Sequence, residues 1–184
     1  MPEEYDYDLV VVGGGPAGSS AAFAAAKNGI KVALIEKENT IAETVRTSGV
    51  TWIESIKEFG IPDDCYNPIK NFSFASPNNQ VTISDVVATA AVLDVRKTYR
   101  WLANEAKKIG VDIFVKTNIN EVIKNDENDI VGVSGIGVNG KTSFHAKVII
   151  DATGFTSTIS KAMGFVTQWK RFGVGAEYEA KVEN

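Results

Sequence analysis

Two short apolar runs rich in β-branched residues enclose an alanine-rich segment near the N-terminus. The first run predicts a buried strand over Tyr5–Val12, because it is short, apolar and ended by glycine. The alanine-rich segment predicts a helix over Pro16–Asn28, since proline suits a first helical turn and Gly29 supplies a stop. A second strand is predicted over Ile30–Ile35. Together they form a βαβ unit, whose strands should be parallel and whose crossover should be right-handed.

The alternation of strand and helix stops after this unit. We expect a long loop over Lys37–Thr47, followed by a short helix over Gly49–Phe59 that Ser48 caps. Two stretches, Asn71–Ala75 and Gln80–Ser84, predict a hairpin because turn-forming residues separate them.

Strong periodicity returns in the second half of the chain. An amphipathic helix is predicted over Val95–Ile109, with Asp94 as its N-cap and Gly110 as its stop. A strand over Val111–Val115 follows the helix. The pattern after it is that of β-structure to residue 150, so the chain is predicted to have an α/β fold.

A three-stranded β-meander is predicted after that strand. Its strands are Asn118–Lys124, Asp129–Val138 and Lys141–His145, and Asn139-Gly140 is the strongest hairpin-turn signal in the chain. One more short buried strand is predicted over Lys147–Ile150. The last predicted elements are a short helix over Ser157–Met163 and a strand over Arg171–Glu179.

The composition narrows the class of protein. Of the 184 residues, 44% are apolar and 23% charged, which is typical of a globular chain. The formal charge of −4 argues against a nucleic-acid binder, which would carry a basic face. The single cysteine, Cys65, excludes an internal disulfide and a cysteine-based zinc site, and we predict no metal site.

The N-terminal residues and the hydropathy pattern bear on location. The N-terminus is acidic and lacks the basic region of a secretory signal. No apolar run approaches the ~20 residues that span a bilayer. We therefore expect a cytoplasmic protein and leave peripheral membrane contact open.

The glycine-rich turn of the βαβ unit matches the dinucleotide fingerprint Gly13-x-Gly15-x-x-Gly18. In that fingerprint the glycines permit a tight turn, close approach of a pyrophosphate and close helix packing. The helix N-terminus then presents unpaired N–H groups to the phosphates. Glu36 lies 18 residues beyond Gly18, where a ribose-binding carboxylate is expected. The fingerprint alone does not decide between FAD and NAD, but the βα alternation that a nicotinamide domain continues is interrupted at Lys37.

Three stretches carry a resemblance to a known family. They are VVVGGGPAGSSAAFAAAKNGIKVALIEK at 10–37, VLDVRKTYRWLANEAKKIGVDI at 92–113 and VIIDATGFTSTISKAMG at 148–164. In this order they resemble the FAD-dependent oxidoreductases of the p-hydroxybenzoate-hydroxylase fold. Two further stretches, ETVRTSGVTW at 43–52 and RFGVGAEYEA at 171–180, are most similar to the geranylgeranyl reductase family. Within that family they resemble the archaeal-type enzymes that saturate isoprenoid chains of ether lipids.

The resemblance implies FAD as the cofactor and a set of residues that contact it, with no catalytic residue assigned. The glycine-rich loop would wrap the pyrophosphate, Glu36 would hold the adenosine ribose beside Lys37, and the turn after the last buried strand would form a second contact. Arg46 would lie near the flavin or pyrophosphate, and Val122 would meet adenine through its backbone. The full implied set is Gly13, Gly15, Pro16, Ala17, Gly18, Glu36, Lys37, Arg46, Arg96, Val122, Asp151, Ala152, Thr153 and Gly154.

The chain departs from the family pattern in three places. Val95 stands where many members have an arginine, whose role we assign to the following Arg96. Thr47-Ser48 stand where several members have a cysteine implicated in catalysis, so a cysteine proton donor there is excluded. The sequence ends at Asn184 without the Gly-Asp motif of the family's second half, so we expect a fragment or a chain that another chain complements.

The expected organisation is a Rossmann-like FAD-binding βαβ unit with a parallel sheet, a three-stranded β-meander and the start of a substrate-domain sheet. We divide this incomplete FAD-binding domain into four consecutive segments. They are 1–48 (βαβ unit and loop), 49–93 (helix and hairpin insertion), 94–163 (long helix, meander and second FAD motif) and 164–184 (start of the substrate-domain sheet).

The function that the resemblance implies is reduction of C=C bonds in geranylgeranyl chains by flavin hydride transfer. A prenylated lipid would be the substrate, and NAD(P)H or ferredoxin the electron donor. Two alternatives stay open: a flavin monooxygenase of the same fold, and a folded but inactive FAD-binding module.

Overall fold

The computed structural model describes residues 3–165 and 173–175, and the chain divides into two compact units. The first unit consists of Met1–Glu43 and Tyr99–Phe172, and the second of Thr44–Thr98 and Gly173–Asn184. The predicted division into four segments stays a prediction.

In the first unit, strands and helix alternate at first, and the later part of the unit is mostly β-structure. Its elements are β1 (Glu3–Val12), α1 (Pro16–Lys27), β2 (Val32–Ile35), β8 (Asp112–Phe114), β9 (Asn118–Lys124), β10 (Ile130–Gly137), β11 (Gly140–Asp151) and α4 (Thr158–Ala162). The long helix α3 (Val95–Lys108) has its first residues in the second unit and the rest in the first. Asp94 caps α3 as predicted, because its carboxylate accepts the main-chain N–H of Lys97 at 3.0 Å.

One six-stranded sheet organises the first unit, in the order β8-β2-β1-β11-β10-β9. Strands β8, β2, β1 and β11 are parallel to one another, whereas β9, β10 and β11 form an antiparallel meander. The structure therefore confirms the predicted α/β class, with a βαβ unit, a parallel sheet and a three-stranded meander. The expected start of a substrate-domain sheet, including the predicted strand Arg171–Glu179, lies outside the described residues except for 173–175.

The consecutive valines of β1 are all buried, because both faces of the sheet are covered. Val10 and Val12 point into one apolar cluster, which contains Phe144 of the meander. Val11 points into the opposite cluster, which contains Ala22 of α1. Successive side chains of a strand alternate between faces, so a strand covered on both sides carries a continuous apolar run.

The meander differs from its prediction at Ala146. The predicted strands Lys141–His145 and Lys147–Ile150 are a single strand, β11, which continues to Asp151. The reason is pairing: β11 lies beside β1 from Thr142 to Asp151 while its first half also pairs with β10. The turn at Asn139-Gly140 is confirmed, and Gly140 adopts a positive φ of 112° there.

Within the described residues, the second unit contains two small sheets, one short α-helix and a 3-10 turn over Asp63–Cys65. Its elements are β3 (Val50–Trp52), α2 (Ile53–Glu58), β4 (Tyr66–Ile69), β5 (Asn71–Ala75), β6 (Gln80–Ser84) and β7 (Ala90–Leu93). Strands β5 and β6 form the predicted hairpin with the predicted bounds. Strands β3, β7 and β4 form a three-stranded sheet, and none of the three was predicted as a strand.

The predicted helix over Gly49–Phe59 is wrong in its first third. Val50–Trp52 form a strand that pairs with β7, and the helix begins only at Ile53. Gly49 has a positive φ of 75°, and its carbonyl oxygen accepts the N–H of Leu93 at 2.9 Å. The conformation of Gly49 and the strand pairing after it therefore replace the first helical turn.

Candidate cofactor site

The two sequence motifs assigned to the cofactor meet at one edge of the sheet. Val12 and Asp151 are paired residues at the carboxyl ends of β1 and β11. The main-chain N–H of Ala152 donates to the carbonyl oxygen of Val12 at 2.8 Å, and that of Gly13 donates to Ile35 at 2.7 Å. Ligands of open α/β sheets bind outside the carboxyl ends of the strands. This edge is therefore the candidate site.

Two of the glycines in the loop, Gly13 and Gly18, are required by the packing of the backbone itself. Gly13 has a φ of 111°, and a side chain on it would collide with the carbonyl oxygen of Ala152. A side chain on Gly18 would collide with the carbonyl oxygen of Gly13, whereas one on Gly14 would first meet the end of the Ile41 side chain, which can shift. The two required glycines hold the loop against β11 and allow α1 to start close to β1.

Gly15 is different, because nothing in the protein requires a glycine there. Its φ of −69° and ψ of −176° suit other residues, and among the described residues no atom other than those of its chain neighbours lies within 4 Å of the position that its Cβ would take. The open space lies at the start of α1, where the first N–H groups of a helix have no intrahelical acceptor. A phosphate group fits this space, since N–H donors and the positive end of the helix dipole face it.

Pro16 and Ala17 form the exposed start of α1 beside this space. Pro16 has no N–H, so the first available donor of the helix belongs to Ala17. The hydroxyl of Ser19 is buried and donates to the carbonyl oxygen of Gly14 at 3.2 Å. Ser19 therefore stabilises the loop from its buried side and does not occupy its exposed side.

Glu36 connects the end of β2 to the glycine-rich loop. Its Oε2 accepts the main-chain N–H of Gly14 at 2.8 Å, and its Oε1 accepts that of Glu38 at 2.9 Å. A carboxylate offers about four acceptor positions, so two positions remain for the hydroxyl groups of a ribose. Lys37 is exposed next to it.

Asp151 has an internal role that the sequence did not predict. Its carboxylate accepts hydrogen bonds from the main chain and the hydroxyl of both Thr153 and Ser160. Partial burial acts to raise the pKa of Asp151, but these hydrogen bonds outweigh burial and lower the pKa below its usual range. The carboxylate is therefore ionised at neutral pH.

The turn after Asp151 lies directly against the loop. Ala152 presents its carbonyl oxygen to Gly13, and Thr153 occupies the following position. Gly154 adopts a positive φ of 68°, and no atom from 3–165 or 173–175, its chain neighbours aside, lies within 4 Å of its Cβ position. The geometry places Ala152 and Thr153 against Gly13, and the cofactor contact that the resemblance implies for Asp151, Ala152, Thr153 and Gly154 stays a prediction.

Three implied contacts are not brought to this loop by the described geometry and stay predictions. The side chain of Val122, on β9, packs against the apolar cluster around Phe144, so only its backbone is available to a ligand. Arg46 and Arg96 lie in the second unit, where Arg46 is exposed and Arg96 half-buried.

Two residues around the site were missed by the sequence analysis. Ile41 is buried against Gly14, and its carbonyl oxygen accepts the Nε–H of Arg100 at 3.2 Å. The available signal for Ile41 was a large apolar side chain in the mostly polar stretch 36–44. Ser160, which binds Asp151, carried no comparable signal, because its role depends on how α4 lies against the end of β11.

No helix within the described residues combines the length and the apolar character that crossing a membrane requires.

Comparisons with known proteins identify the family of this chain. The family described as "FAD dependent oxidoreductase" matches residues 8–168. A digeranylgeranylglycerophospholipid reductase of Methanocaldococcus jannaschii is 38% identical over 94% of this chain and 45% of its own length. An uncharacterized protein in the nifH2 5′ region of Methanosarcina barkeri is 34% identical over 89% of this chain and 91% of its own length.

A solved structure of similar fold carries a related name. A geranylgeranyl bacteriochlorophyll reductase-like protein from Thermoplasma acidophilum superposes with a TM-score of 0.77 at 31% identity, over 88% of this chain and 42% of the other. The chain thus spans less than half the length of the reductase-named relatives described here. The matched residues include both the glycine-rich loop and the turn after β11. The chain therefore belongs to the FAD dependent oxidoreductase family, and FAD is the cofactor that its loop geometry fits.

Proposed function

We propose that this protein reduces C=C bonds in the geranylgeranyl chains of isoprenoid ether lipids. The observation that carries the proposal is the similarity over 94% of the chain to a digeranylgeranylglycerophospholipid reductase. The reductase-like neighbour of TM-score 0.77 supports the same class. Because the chain spans under half of both proteins, the substrate is part of the proposal and not of the family assignment.

The residues of this chain supply the binding and orientation of the cofactor. The open space at Gly15 receives the pyrophosphate, and the first N–H groups of α1 stabilise its charge. The two free acceptor positions of Glu36 orient the adenosine ribose. Bound FAD supplies hydride-transfer chemistry that side chains do not have.

The remaining contacts belong to the same proposal. Lys37 adds a positive charge beside Glu36, and the backbone of Val122 meets the adenine. Arg46 lies near the flavin or the pyrophosphate, and Arg96 takes the cofactor-binding role of the arginine that many family members have at the position of Val95. The proposal also includes a prenylated lipid as the partner, NAD(P)H or ferredoxin as the electron donor, and peripheral contact with the membrane that holds the lipid.

The test is an anaerobic assay of the purified chain with FAD, a chemical reductant and a geranylgeranyl ether lipid. We expect a mass gain of one H₂ for each saturated bond, measured by mass spectrometry. Gly15→Val serves as the control that removes the cofactor but not the fold, since the Cβ position meets no atom of the described residues beyond its chain neighbours. The mass gain should be absent with this variant.

Other outcomes favour the alternatives. NAD(P)H oxidation with oxygen uptake, stimulated by an aromatic substrate, would replace the reductase with a monooxygenase. Stoichiometric FAD binding with neither activity would leave a cofactor-binding module.

A further inference from the structure

The carboxylate of Asp151 has all its acceptor positions occupied by two other residues. Oδ1 accepts the main-chain N–H of Thr153 at 3.1 Å and the hydroxyl of Thr153 at 2.6 Å. Oδ2 accepts the main-chain N–H and the hydroxyl of Ser160, each at 2.7 Å. An ionised carboxylate has about four acceptor positions, so none remains for a hydroxyl group of a cofactor. Asp151 differs in this respect from Glu36, which keeps two acceptor positions for a ligand.

The donors come from two successive segments of the chain, the turn after β11 and helix α4. Thr153 is in the turn that follows β11, and its hydroxyl oxygen also accepts the N–H of Thr158 at 2.8 Å. Ser160 is in α4, next to Ile159, which is buried in the apolar cluster with Phe144. The carboxylate therefore ties the turn to a helix that is anchored in the core.

The tied turn is the one that faces the glycine-rich loop. Ala152 is bonded to Val12 through its N–H, and its carbonyl oxygen lies against Gly13. The hydroxyl of Thr156 donates to the carbonyl oxygen of Thr153 at 2.6 Å, which closes the turn on its other side. Any shift of this turn therefore changes the surface against which the glycine-rich loop packs.

We propose that Asp151 is a positioning residue of the FAD site: its carboxylate fixes the turn 152–154 against Gly13 through Thr153 and Ser160, and does not itself touch the cofactor. The proposal rests on FAD as the cofactor in the function proposed above, but not on the prenyl-lipid substrate. It replaces the direct contact that the resemblance implied for this side chain.

The first experiment measures the dissociation constant of FAD by fluorescence titration of the full chain. The variants are Asp151→Asn, Ser160→Ala and the double variant, with Asp126→Asn as a matched control at an exposed turn. We expect each single change to raise the dissociation constant about tenfold, since each removes hydrogen bonds to a charged group. The double variant should match Asp151→Asn, because both residues act through one network. Asp126→Asn should leave the constant unchanged.

The second experiment separates positioning from loss of stability. Ser160→Thr keeps a hydroxyl that can reach Oδ2, so it should restore the affinity that Ser160→Ala loses. Amide hydrogen exchange without FAD should quicken at Thr153 and Ser160 in Asp151→Asn, and not in Asp126→Asn. Circular dichroism establishes that each variant is folded at the titration temperature. If Asp151→Asn does not fold, the Ser160→Ala and Ser160→Thr pair decides the matter.

The outcomes that overturn the proposal are distinct from those that overturn the proposed function. Loss of affinity in Asp151→Asn with unchanged affinity in Ser160→Ala would show a direct contact and refute positioning. Unchanged affinity in both variants would refute any role. A wild-type chain that binds no FAD would overturn this proposal and the cofactor part of the function together. A chain that binds FAD and shows the expected pattern, yet saturates no prenyl lipid, would overturn only the substrate.

Discussion

Oε2 of Glu36 accepts the main-chain N–H of Gly14 at 2.8 Å, which joins the end of β2 to the middle of the glycine-rich loop. The bond uses one of two acceptor positions on that oxygen, so the same carboxylate can hold the loop and a ribose together. Glu36 therefore has two effects on cofactor binding, one through the loop and one through the ligand.

Replacing Glu36 with glutamine should weaken FAD binding about tenfold or more. Whichever way the amide is turned, its NH₂ group faces the N–H of either Gly14 or Glu38, so one of these two hydrogen bonds is lost and two donors face each other. The dissociation constant, measured by flavin fluorescence titration, checks this. Glu4→Gln is the matched control, because Glu4 is an exposed residue of β1. Equal affinities for Glu36→Gln and the wild type would remove Glu36 from the site.

Replacing Gly15 with valine should abolish FAD binding while leaving the fold intact. Apart from its chain neighbours, the part of the chain that the structure describes has no atom within 4 Å of the Cβ position, and the backbone angles there suit a side chain. The valine would occupy the space that the pyrophosphate needs. FAD titration should show no binding, and urea unfolding without cofactor should match the wild type. A folded Gly15→Val variant with normal affinity would refute the phosphate-loop assignment.

Replacing Gly18 with alanine should lower the stability of the cofactor-free chain, in contrast to the change at Gly15. The new methyl group would collide with the carbonyl oxygen of Gly13, so helix α1 or the loop must move. We expect the free energy of unfolding to fall by about 1–3 kcal/mol, as for other overpacked sites. Urea unfolding of Gly18→Ala beside Gly15→Ala measures the difference. Equal stability of the two alanine variants would show that the loop relaxes without cost.

The sequence predicted the parts of this fold that local pattern determines. The apolar run of β1, the proline at the start of α1 and the position of Glu36 each follow from neighbours in the chain, and all were placed correctly. The strand Val50–Trp52 was missed, because its partner β7 lies some 40 residues away and contains only four residues. Ser160 was missed for a similar reason: its contact with Asp151 depends on tertiary packing of α4, which no spacing rule describes.

The stability of the chain should depend on pH through Asp151. Its pKa is lowered in the folded protein, because hydrogen bonds from Thr153 and Ser160 outweigh the opposite effect of burial. A lowered folded-state pKa gives stability that is fully present above the unfolded value of about 3.9 and is lost as the pH falls through the folded value. Urea unfolding of the wild type and Asp151→Asn should therefore differ at neutral pH and converge in acid. A difference that stays constant down to acid pH would contradict this assignment.

Two buried threonines should respond in opposite ways to the same substitution. The hydroxyl of Thr142, in β11, has no hydrogen-bond partner within the part of the chain that the structure describes, and the residue is only 3% exposed. Thr98, in α3, is 5% exposed, and its hydroxyl donates to the carbonyl oxygens of Asp94 at 2.8 Å and Cys65 at 3.3 Å. Thr142→Val should raise the free energy of unfolding by about 1 kcal/mol, since it removes an unsatisfied polar group from a strand.

Thr98→Val provides the matched comparison, because it changes the same atoms at a site where the hydroxyl is bonded. It should lower the free energy of unfolding by about 1 kcal/mol, the usual net value of a lost hydrogen bond. Urea unfolding of both variants, with the slope compared to the wild type, measures the two changes. A loss of stability in Thr142→Val would indicate that its hydroxyl is bonded, for which a buried water is the physical candidate. Thr142 is paired with Glu3 of β1, so this water would lie next to the first residues of the pairing between β1 and β11.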